Sequence, residues 1–188
     1  MTFDDGPYAY TRQLLKILRR MDTKATFFVV GEMVDKEEYG SILQEVAREG
    51  HQVASHSYTH PHLNTLTDEQ LSNEISKTSD AIFRRIGKRV NYFRCPYGEC
   101  DDRVLGKLFD QGYRVIDWNL DTLDWTGKSP REIIGSYRDG IQSESTSGAY
   151  ISLQHDIQPN TIAVVSQLIK VVREKGYRLT TVAECMGE

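Results

Sequence analysis

Short apolar segments alternate with amphipathic helical segments along almost the whole chain, and this alternation restricts the fold more than any other feature. Such alternation is typical of a parallel β-sheet with helices packed on it, either open or closed into a barrel. We therefore expect an α/β protein with about seven parallel strands. The strands are predicted at a segment ending at residue 3 and at 24–31, 52–55, 90–93, 113–118, 148–153 and 177–182. The helices are predicted at 8–21, 41–49, 67–87, 101–111, 129–140 and 161–175.

The chemically reactive side chains of the sequence fall where the predicted strands end. In a (β/α) barrel the active site is assembled from residues at the carboxyl ends of the strands. We therefore expect these side chains to meet at a single site. They are Asp4, Asp5, His56, Arg94, Asp121, Asp124 and His155.

Two adjacent carboxylates, Asp4 and Asp5, follow the β-prone pair 2–3 and precede the turn-forming pair 6–7. An isolated sequence of this kind is more often a solvated turn. Two carboxylates held close together can instead take different roles, one binding a cation and the other staying free as a base. The reactive residues at other strand ends favour the second interpretation.

His56 and His60 are four residues apart, a spacing that places both imidazoles on the same side of one helical turn. With one aspartate they would form a set of two histidines and one carboxylate. Such a set leaves coordination positions open for water, as in a catalytic metal site. The spacing alone is a weak signal, and the Asp pair strengthens it. His51 and His62 have no such neighbours, and we interpret them as ordinary surface or loop residues.

Arg94 and His155 each follow a predicted strand. A buried arginine near the Asp pair would hold one carboxylate ionised through bidentate hydrogen bonds, whereas a surface ion pair is the alternative. A histidine beside a buried aspartate keeps its proton and a fixed orientation, which suits a general acid. Trp125 and Leu153, taken singly, are more typical of a core than of a pocket.

The length of 188 residues fits one domain with a hydrophobic core, and the net charge of −4 argues against a nucleic-acid partner. No apolar run is long enough to cross a bilayer. We expect residues 1–188 to form one domain that is truncated at its N-terminus, because the first predicted strand has almost no residues before it. Cys95 and Cys100 could form a short disulfide in an oxidising compartment, which would leave Cys185 over; three reduced thiols are the alternative.

Five motifs, in order, resemble those of the NodB-type polysaccharide deacetylases, which form carbohydrate esterase family four. The motifs are Thr2–Pro7, His56–His60, Arg94–Gly98, Asp121–Trp125 and Leu153–Asp156. The resemblance extends over the whole chain. It implies a distorted (β/α) barrel and a metal-dependent hydrolysis of N-acetyl groups from N-acetylglucosamine residues in chitin, giving chitosan and acetate.

The resemblance also implies a role for each motif residue. Asp4 would be the catalytic base, oriented by Arg94, and His155 would be the acid, tuned by Asp124. The ligands of a divalent metal would be Asp5, His56 and His60. That metal would be Zn²⁺, with Co²⁺ as the alternative. Substrate would be bound by the backbone N–H of Tyr97 and, around the acetyl methyl group, by Trp125 and Leu153.

Three stretches, 60–66, 97–104 and 181–187, most resemble fungal chitin deacetylases, which are secreted or wall-associated. We therefore expect a secreted or cell-wall monomer that acts on chitin or chitooligosaccharides. Because the five motifs are shared within the family, peptidoglycan deacetylase and acetyl-xylan esterase are alternative activities. A non-catalytic carbohydrate-binding cell-wall protein is an alternative of another class.

Overall fold

A single parallel β-sheet forms the centre of the computed structural model, which describes residues 1–143 and 148–188. The strands in these ranges are β1 (Thr2–Asp4), β2 (Thr26–Val29), β3 (Gln52–Ser55), β4 (Tyr92–Phe93), β5 (Arg114–Val115), β6 (Leu120–Asp121) and β7 (Ser152–His155). They are ordered β5-β4-β3-β2-β1-β7-β6, and every neighbouring pair is parallel. The predicted α/β architecture with a parallel sheet is confirmed, and the sheet is a partial barrel with β5 and β6 at its edges.

Helices connect the strands. Within the described ranges they are α1 (Thr11–Arg20), α2 (Gly31–Asp35), α3 (Glu37–Arg48), α4 (Asp68–Ile86), α5 (Asp102–Asp110), α6 (Pro130–Gly140), α7 (Pro159–Glu174) and α8 (Val182–Cys185). Short 3₁₀ helices lie at Leu63–Thr65, Pro96–Gly98 and Asp124–Thr126. The capping box predicted at the start of α4 is present, because Thr67 accepts a hydrogen bond from the Gln70 N–H and the Gln70 side chain accepts one from the Thr67 N–H. Gly87 ends α4 with a φ of 68°, which glycine adopts without strain.

The last predicted strand, 177–182, was wrong. Helix α8 forms at its end, because the Thr181 hydroxyl accepts a hydrogen bond from the Glu184 N–H at 3.2 Å and caps the helix. The N–H of Val182 donates to the Thr26 hydroxyl at 2.9 Å. This N–H is therefore bonded to a side chain of β2 and is not available to a strand ladder. Strand β6, which the sequence did not predict, brings the number of described strands to seven.

The predicted strand 113–118 is shorter than expected. Only the two residues of β5 pair with β4. The chain then turns its carbonyl groups towards the interior, where Ile116 and Asp117 accept hydrogen bonds from the guanidinium of Arg94 at 3.1 and 3.2 Å. The strand ends here because these two carbonyl groups bind the buried guanidinium of Arg94 and are not available to a neighbouring strand.

Strand β7 begins at Ser152 and not at 148, because the N–H of Ile151 donates to the side chain of Asn119 at 2.8 Å. Helix α2 was not predicted. Its five residues are too few to show a helical period in the sequence. It packs against α3 and α4.

The hydrophobic core lies between the sheet and the helices that pack on it. Phe3 of β1 and Phe27 of β2 stack with ring centroids 5.5 Å apart. Leu14 and Leu18 of α1 and Leu168 of α7 are fully buried in the same cluster. Burial of each such side chain contributes roughly 1.5–3 kcal/mol. Because the strands are parallel, their carboxyl ends lie at one edge of this core, and the polar motif residues lie there.

Cys95 and Cys100 form a disulfide, which answers the question that the sequence left open, and Cys185 is a free and exposed thiol. The disulfide encloses the 3₁₀ helix Pro96–Gly98. Among the helices that the structure describes, none has the length and apolar character needed to cross a membrane.

Replacing both bonded cysteines, Cys95→Ser with Cys100→Ser, should lower the free energy of unfolding by about 2 kcal/mol, because a short cross-linked loop restricts the unfolded chain. Urea unfolding followed by circular dichroism measures this loss. The matched control is Cys185→Ser, which should change the free energy by less than about 0.5 kcal/mol because the thiol is exposed and free. Equal losses in the two variants would show that the disulfide does not stabilise the fold.

Candidate active site

The adjacent aspartates lie where β1 ends, as predicted. Asp4 is the last residue of the strand and is only 2% exposed. Asp5 is half-buried and has a φ of 76°, in the left-handed region. This conformation interrupts the alternation of side chains along the strand, and both carboxylates line the same cavity.

Arg94 follows β4 and is completely buried. One of its terminal nitrogens donates to Asp4 Oδ1 at 2.9 Å and to the Thr2 hydroxyl at 2.6 Å. Its other nitrogens donate to the carbonyl groups of Ile116 and Asp117. The expected bidentate contact with the carboxylate was therefore wrong, since one guanidinium nitrogen serves Asp4 and the others bind backbone carbonyls. The expected burial beside the Asp pair was right.

The ionisation of Asp4 depends on two opposing effects. Burial raises the pKa of Asp4 above its ordinary value, and the positive charges of Arg94 and His155 offset this only in part. A carboxylate whose pKa is raised accepts a proton more readily than an ordinary aspartate. The environment of Asp4 therefore suits a general base.

His56 and His60 lie close together, but not on a helical turn as the spacing suggested. The segment between them is an irregular loop, with positive φ angles of 63° at Ser57 and 58° at His60. The carboxylate of Glu74 on α4 accepts hydrogen bonds from the N–H groups of Tyr58 and Thr59, both at 2.8 Å. These hydrogen bonds to Glu74 take the place of helical hydrogen bonds in the loop. The centroids of the two imidazole rings are 4.8 Å apart.

Asp5, His56 and His60 form the group that can hold a metal ion, with one ligand atom from each residue and all three atoms within 4.8 Å of one another. Nε2 of His56 and of His60 lie 3.6 and 3.5 Å from Asp5 Oδ1. That oxygen is buried and has no hydrogen-bond partner among the described residues. A buried carboxylate oxygen without a donor is costly unless a cation binds it, so the donor set fits a divalent metal.

The tautomer of His56 also fits metal binding. Its Nδ1 donates a hydrogen bond to the carbonyl oxygen of Arg94 at 2.7 Å, so that Nε2 carries the free lone pair. Burial lowers the pKa of His56 to about 3, against the opposing charge of Asp5, and keeps the ring neutral. Neutral imidazole is the form that coordinates metals.

His155 and Asp124 form a second pair. His155 Nδ1 donates to Asp124 Oδ1 at 2.7 Å, and the other carboxylate oxygen accepts from the His155 N–H at 2.8 Å and from the Thr161 hydroxyl at 2.5 Å. Burial lowers the pKa of His155, but the hydrogen bond and charge of Asp124 outweigh it, and the result is a pKa of about 9. His155 is therefore protonated at neutral pH, as expected for a general acid.

Residues from all five motifs line a cavity of about 340 Å³, and Asp4, Asp5, His56, His60 and His155 are among them. Leu153 is almost fully buried in its wall, whereas Trp125 and Tyr97 are 59% and 54% exposed at its rim.

Two wall residues, Trp118 and Asp121, were not proposed as substrate-binding from the sequence. Trp118 follows β5, so its position after a strand was the available signal. The Cα of Gly98 approaches its indole so closely that a Cβ there would lie 2.9 Å from it.

Asp156, the last residue of the fifth motif, lies behind the turn that follows Asp4 and Asp5. Its Oδ2 accepts a hydrogen bond from the Thr11 hydroxyl at 2.5 Å. A Cβ on Gly6 would lie 2.2 Å from the same oxygen, so only glycine fits at this position. Burial raises the pKa of Asp156 to about 7. The carboxyl group therefore packs directly against the backbone next to Asp5.

The two histidines outside the motifs differ from each other. His51 lies in the loop between α3 and β3 but is not an ordinary surface residue, because it is buried and its Nδ1 accepts a hydrogen bond from the Ala25 N–H at 3.2 Å. His62 is exposed, as predicted. Its ring stacks on Tyr97 with centroids 4.0 Å apart.

The chain is similar to known proteins over its whole length. The protein-family model described as "Polysaccharide deacetylase" matches residues 1–116. A chitin deacetylase of Colletotrichum lindemuthianum is 37% identical over 195 residues, which cover all of this chain and 79% of that protein. The solved structure of the Colletotrichum lindemuthianum chitin deacetylase superposes with a TM-score of 0.95 at 36% identity, covering 100% of this chain and 86% of that one.

Other relatives differ in their described activity. A peptidoglycan-N-acetylglucosamine deacetylase of Bacillus cereus is 34% identical over 94% of this chain and 66% of its own length. A mutant of a CE4 family pseudoenzyme superposes with a TM-score of 0.88 at 28% identity, covering 97% of this chain and 64% of that one. The chain spans less than two thirds of the length of several curated relatives that it matches.

Removing the buried guanidinium with Arg94→Met should lower the free energy of unfolding by about 3–5 kcal/mol, because Asp4 is left buried without its partner. The control is Arg89→Met, which breaks an exposed ion pair with Asp80 and should cost less than about 1 kcal/mol. Urea unfolding at pH 7 measures both. Similar losses in the two variants would contradict the role given to the buried pair.

The pair of His155 and Asp124 should make stability depend on pH. Because the pKa of His155 is raised to about 9 from its ordinary 6.5, its contribution is complete below pH 6.5 and is lost as the pH rises through 9. Asp124→Asn removes the charge that raises this pKa. The difference in unfolding free energy between wild type and Asp124→Asn should therefore be larger at pH 6 than at pH 10, by up to about 3 kcal/mol. Equal differences at the two pH values would contradict the assignment.

Proposed function

The chain belongs to the polysaccharide deacetylase family, and on this basis we propose that it hydrolyses N-acetyl groups from N-acetylglucosamine residues in chitin, giving chitosan and acetate. One observation carries the proposal. A buried carboxylate paired with arginine and a protonated histidine paired with aspartate flank the candidate metal ligands in one cavity. Asp4 on β1 and His155 on β7 are directly opposite each other in the strand register.

Asp5, His56 and His60 would hold a divalent cation in the proposed enzyme. Zn²⁺ is our first assignment, with Co²⁺ as the alternative, because two histidines and one carboxylate are typical of catalytic zinc sites. When bound, such a cation supplies Lewis acidity that polarises an amide carbonyl and lowers the pKa of a water molecule.

Asp4 would act as the general base that takes the proton from the attacking water. Its raised pKa makes proton uptake favourable, and the hydrogen bond from Arg94 holds one carboxylate oxygen in place. The other oxygen, Oδ2, lies 3.8 Å from Nε2 of His56 and therefore faces the candidate metal ligands. Arg94 would position this base and would not contact substrate.

The remaining roles concern the reacting amide. The backbone N–H of Tyr97 would donate to the oxyanion that develops on the carbonyl oxygen. His155 would give its proton to the departing amine, with Asp124 holding the ring in orientation. Trp125 and Leu153 would enclose the acetyl methyl group, since both line the cavity. In this hydrolysis the C–N bond of the amide breaks, a C–O bond forms between the acetyl carbon and the water oxygen, and the amine nitrogen receives a proton.

The state of His155 favours an amide substrate over an ester. An amine is a poor leaving group until it is protonated, whereas an alcohol leaves with less assistance. A histidine that carries its proton at neutral pH supplies this assistance. This consideration ranks deacetylation of N-acetyl groups above acetyl-xylan esterase activity. Chitin ranks above peptidoglycan because the Colletotrichum chitin deacetylase matches at higher identity and coverage than the Bacillus enzyme does.

The resemblance to a pseudoenzyme shows that this fold alone does not guarantee turnover. In this chain, however, the proposed base, acid and three metal ligands are all present and adjacent. This argues against a purely carbohydrate-binding protein. We also propose that the protein is a secreted or cell-wall monomer, and the disulfide supports the oxidising compartment that secretion implies.

The first test is acetate release from chitin oligomers. Release should disappear after chelation and return with added Zn²⁺. Asp4→Asn should reduce kcat by about 10²–10⁴-fold, the usual contribution of a general base. The control is Asp80→Asn, a surface aspartate on α4, which should keep full activity.

Circular dichroism and metal content should first establish that each variant is folded and loaded. Acetate release by Asp4→Asn at the wild-type rate would overturn the assigned base. Faster release from peptidoglycan than from chitin would correct the substrate. No release from chitin, peptidoglycan or acetylated xylan by the folded, metal-loaded protein would favour the binding-protein alternative.

A further inference from the structure

Thr11, the first residue of α1, is a fully buried polar residue that lies outside the five motifs. Its hydroxyl makes two hydrogen bonds in opposite directions. It donates to Oδ2 of Asp156 at 2.5 Å and accepts from the N–H of Tyr8 at 2.9 Å. The N–H of Thr11 also donates to the Tyr8 carbonyl at 3.0 Å. The hydroxyl therefore joins a buried carboxylate to the backbone that follows the Asp pair.

Asp156 is fully buried and contacts the same backbone at two further points. Its N–H donates to the carbonyl of Asp4 at 3.4 Å. Its carboxylate occupies the space where a Cβ of Gly6 would lie, 2.2 Å from Oδ2. On the side of β2, the N–H of Val30 donates to the Gly6 carbonyl at 3.0 Å. The turn formed by residues 5–8 is therefore held by the ends of β2 and β7 and by the start of α1.

The turn needs this support because Asp5 has a φ of 76°, which is unfavourable for a residue with a Cβ. Backbone conformations of this kind persist only where the surrounding structure fixes them. In this conformation Oδ1 of Asp5 lies 3.6 and 3.5 Å from Nε2 of His56 and of His60. A relaxed turn would move the carboxylate away from the two imidazoles, and the three candidate ligands would no longer be grouped.

We propose that Thr11 and Asp156 are positioning residues for the candidate metal ligand Asp5. Neither residue lines the active-site cavity, so both act through the backbone of the turn and not by contact with substrate. Oδ1 of Asp156 is buried and has no hydrogen-bond partner among the described residues. Because such an oxygen lowers stability, support of the turn explains the carboxylate better than fold stability does. The inference rests on the metal site of the proposed function and deepens it, since it assigns two residues that set the affinity of that site.

The test is the affinity of the chelated protein for Zn²⁺, measured by isothermal titration calorimetry. Thr11→Val keeps the shape of the side chain and removes the hydroxyl, and it should weaken Zn²⁺ binding by about 10–100-fold, as the loss of groups that orient metal ligands usually does. Thr11→Ser keeps the hydroxyl and should retain the wild-type affinity. Asp156→Ala removes the acceptor of the same hydrogen bond and should weaken binding to a similar extent.

Thr23→Val is the matched control, because it makes the same substitution at another buried hydroxyl. Thr23 lies between α1 and β2, where its hydroxyl donates to the Met21 carbonyl at 2.9 Å. It precedes β2, whereas the active site lies where the strands end. Thr23→Val should therefore keep the wild-type Zn²⁺ affinity even if it lowers the stability of the fold. Circular dichroism should first establish that each variant is folded.

Zn²⁺ binding separates this inference from the reaction, because it requires no turnover. If Thr11→Val and Asp156→Ala bind Zn²⁺ as tightly as the wild type, the positioning role is overturned even though acetate is released. If Thr11→Val and Thr23→Val lose affinity equally, the effect is one of general stability and the role is also overturned. Weaker binding in Thr11→Val and its recovery in Thr11→Ser support the role even if the wild type releases no acetate. If Thr11→Val does not fold, Asp156→Ala decides the outcome by the same comparison.

Discussion

The guanidinium of Arg94 is completely buried, and it extends from the end of β4 to Asp4 on β1, past the two strands between them. Burying such a charge costs several kcal/mol unless acceptors surround it. Here the acceptors are Asp4, the Thr2 hydroxyl and the two carbonyl groups that follow β5. The same interaction thus shortens β5, crosses the interior of the partial barrel and positions the proposed base. Folding of the sheet and assembly of the site cannot be separated.

Two histidines in the site show how burial and charge give one residue type opposite states. His56 is buried against a backbone carbonyl, and its pKa is lowered to about 3, so the ring stays neutral. His155 is bonded to the carboxylate of Asp124, and its pKa is raised to about 9. A neutral ring suits coordination and a protonated ring suits acid catalysis. The neighbouring acceptor, a carbonyl in one case and a carboxylate in the other, makes the difference.

The sequence predicted best the features that depend on neighbouring residues. The capping box at Thr67 and the cap at Ser129 both form, because each requires only contacts within one helical turn. Errors arose where a distant group decides the backbone. The loop from His56 to His60 looks helical by spacing, yet Glu74 of α4 takes its N–H groups and keeps it irregular. Trp118 carried no periodic signal, and the packing of Asp156 against Gly6 and Thr11 depends on tertiary structure.

The sequence by itself determined the parallel α/β architecture and most of the residues that meet at the carboxyl ends of the strands, because the alternation of apolar and helical segments, and the position of a residue at the end of a strand, can be read locally along the chain. Only the tertiary structure decided how those residues are paired. Three features depend on distances between segments far apart in the chain: which carboxylate faces Arg94, which histidine is protonated, and which side chains line the active-site cavity. Burial and electrostatic interactions act through space, and the spacing of residues along the chain does not contain those distances.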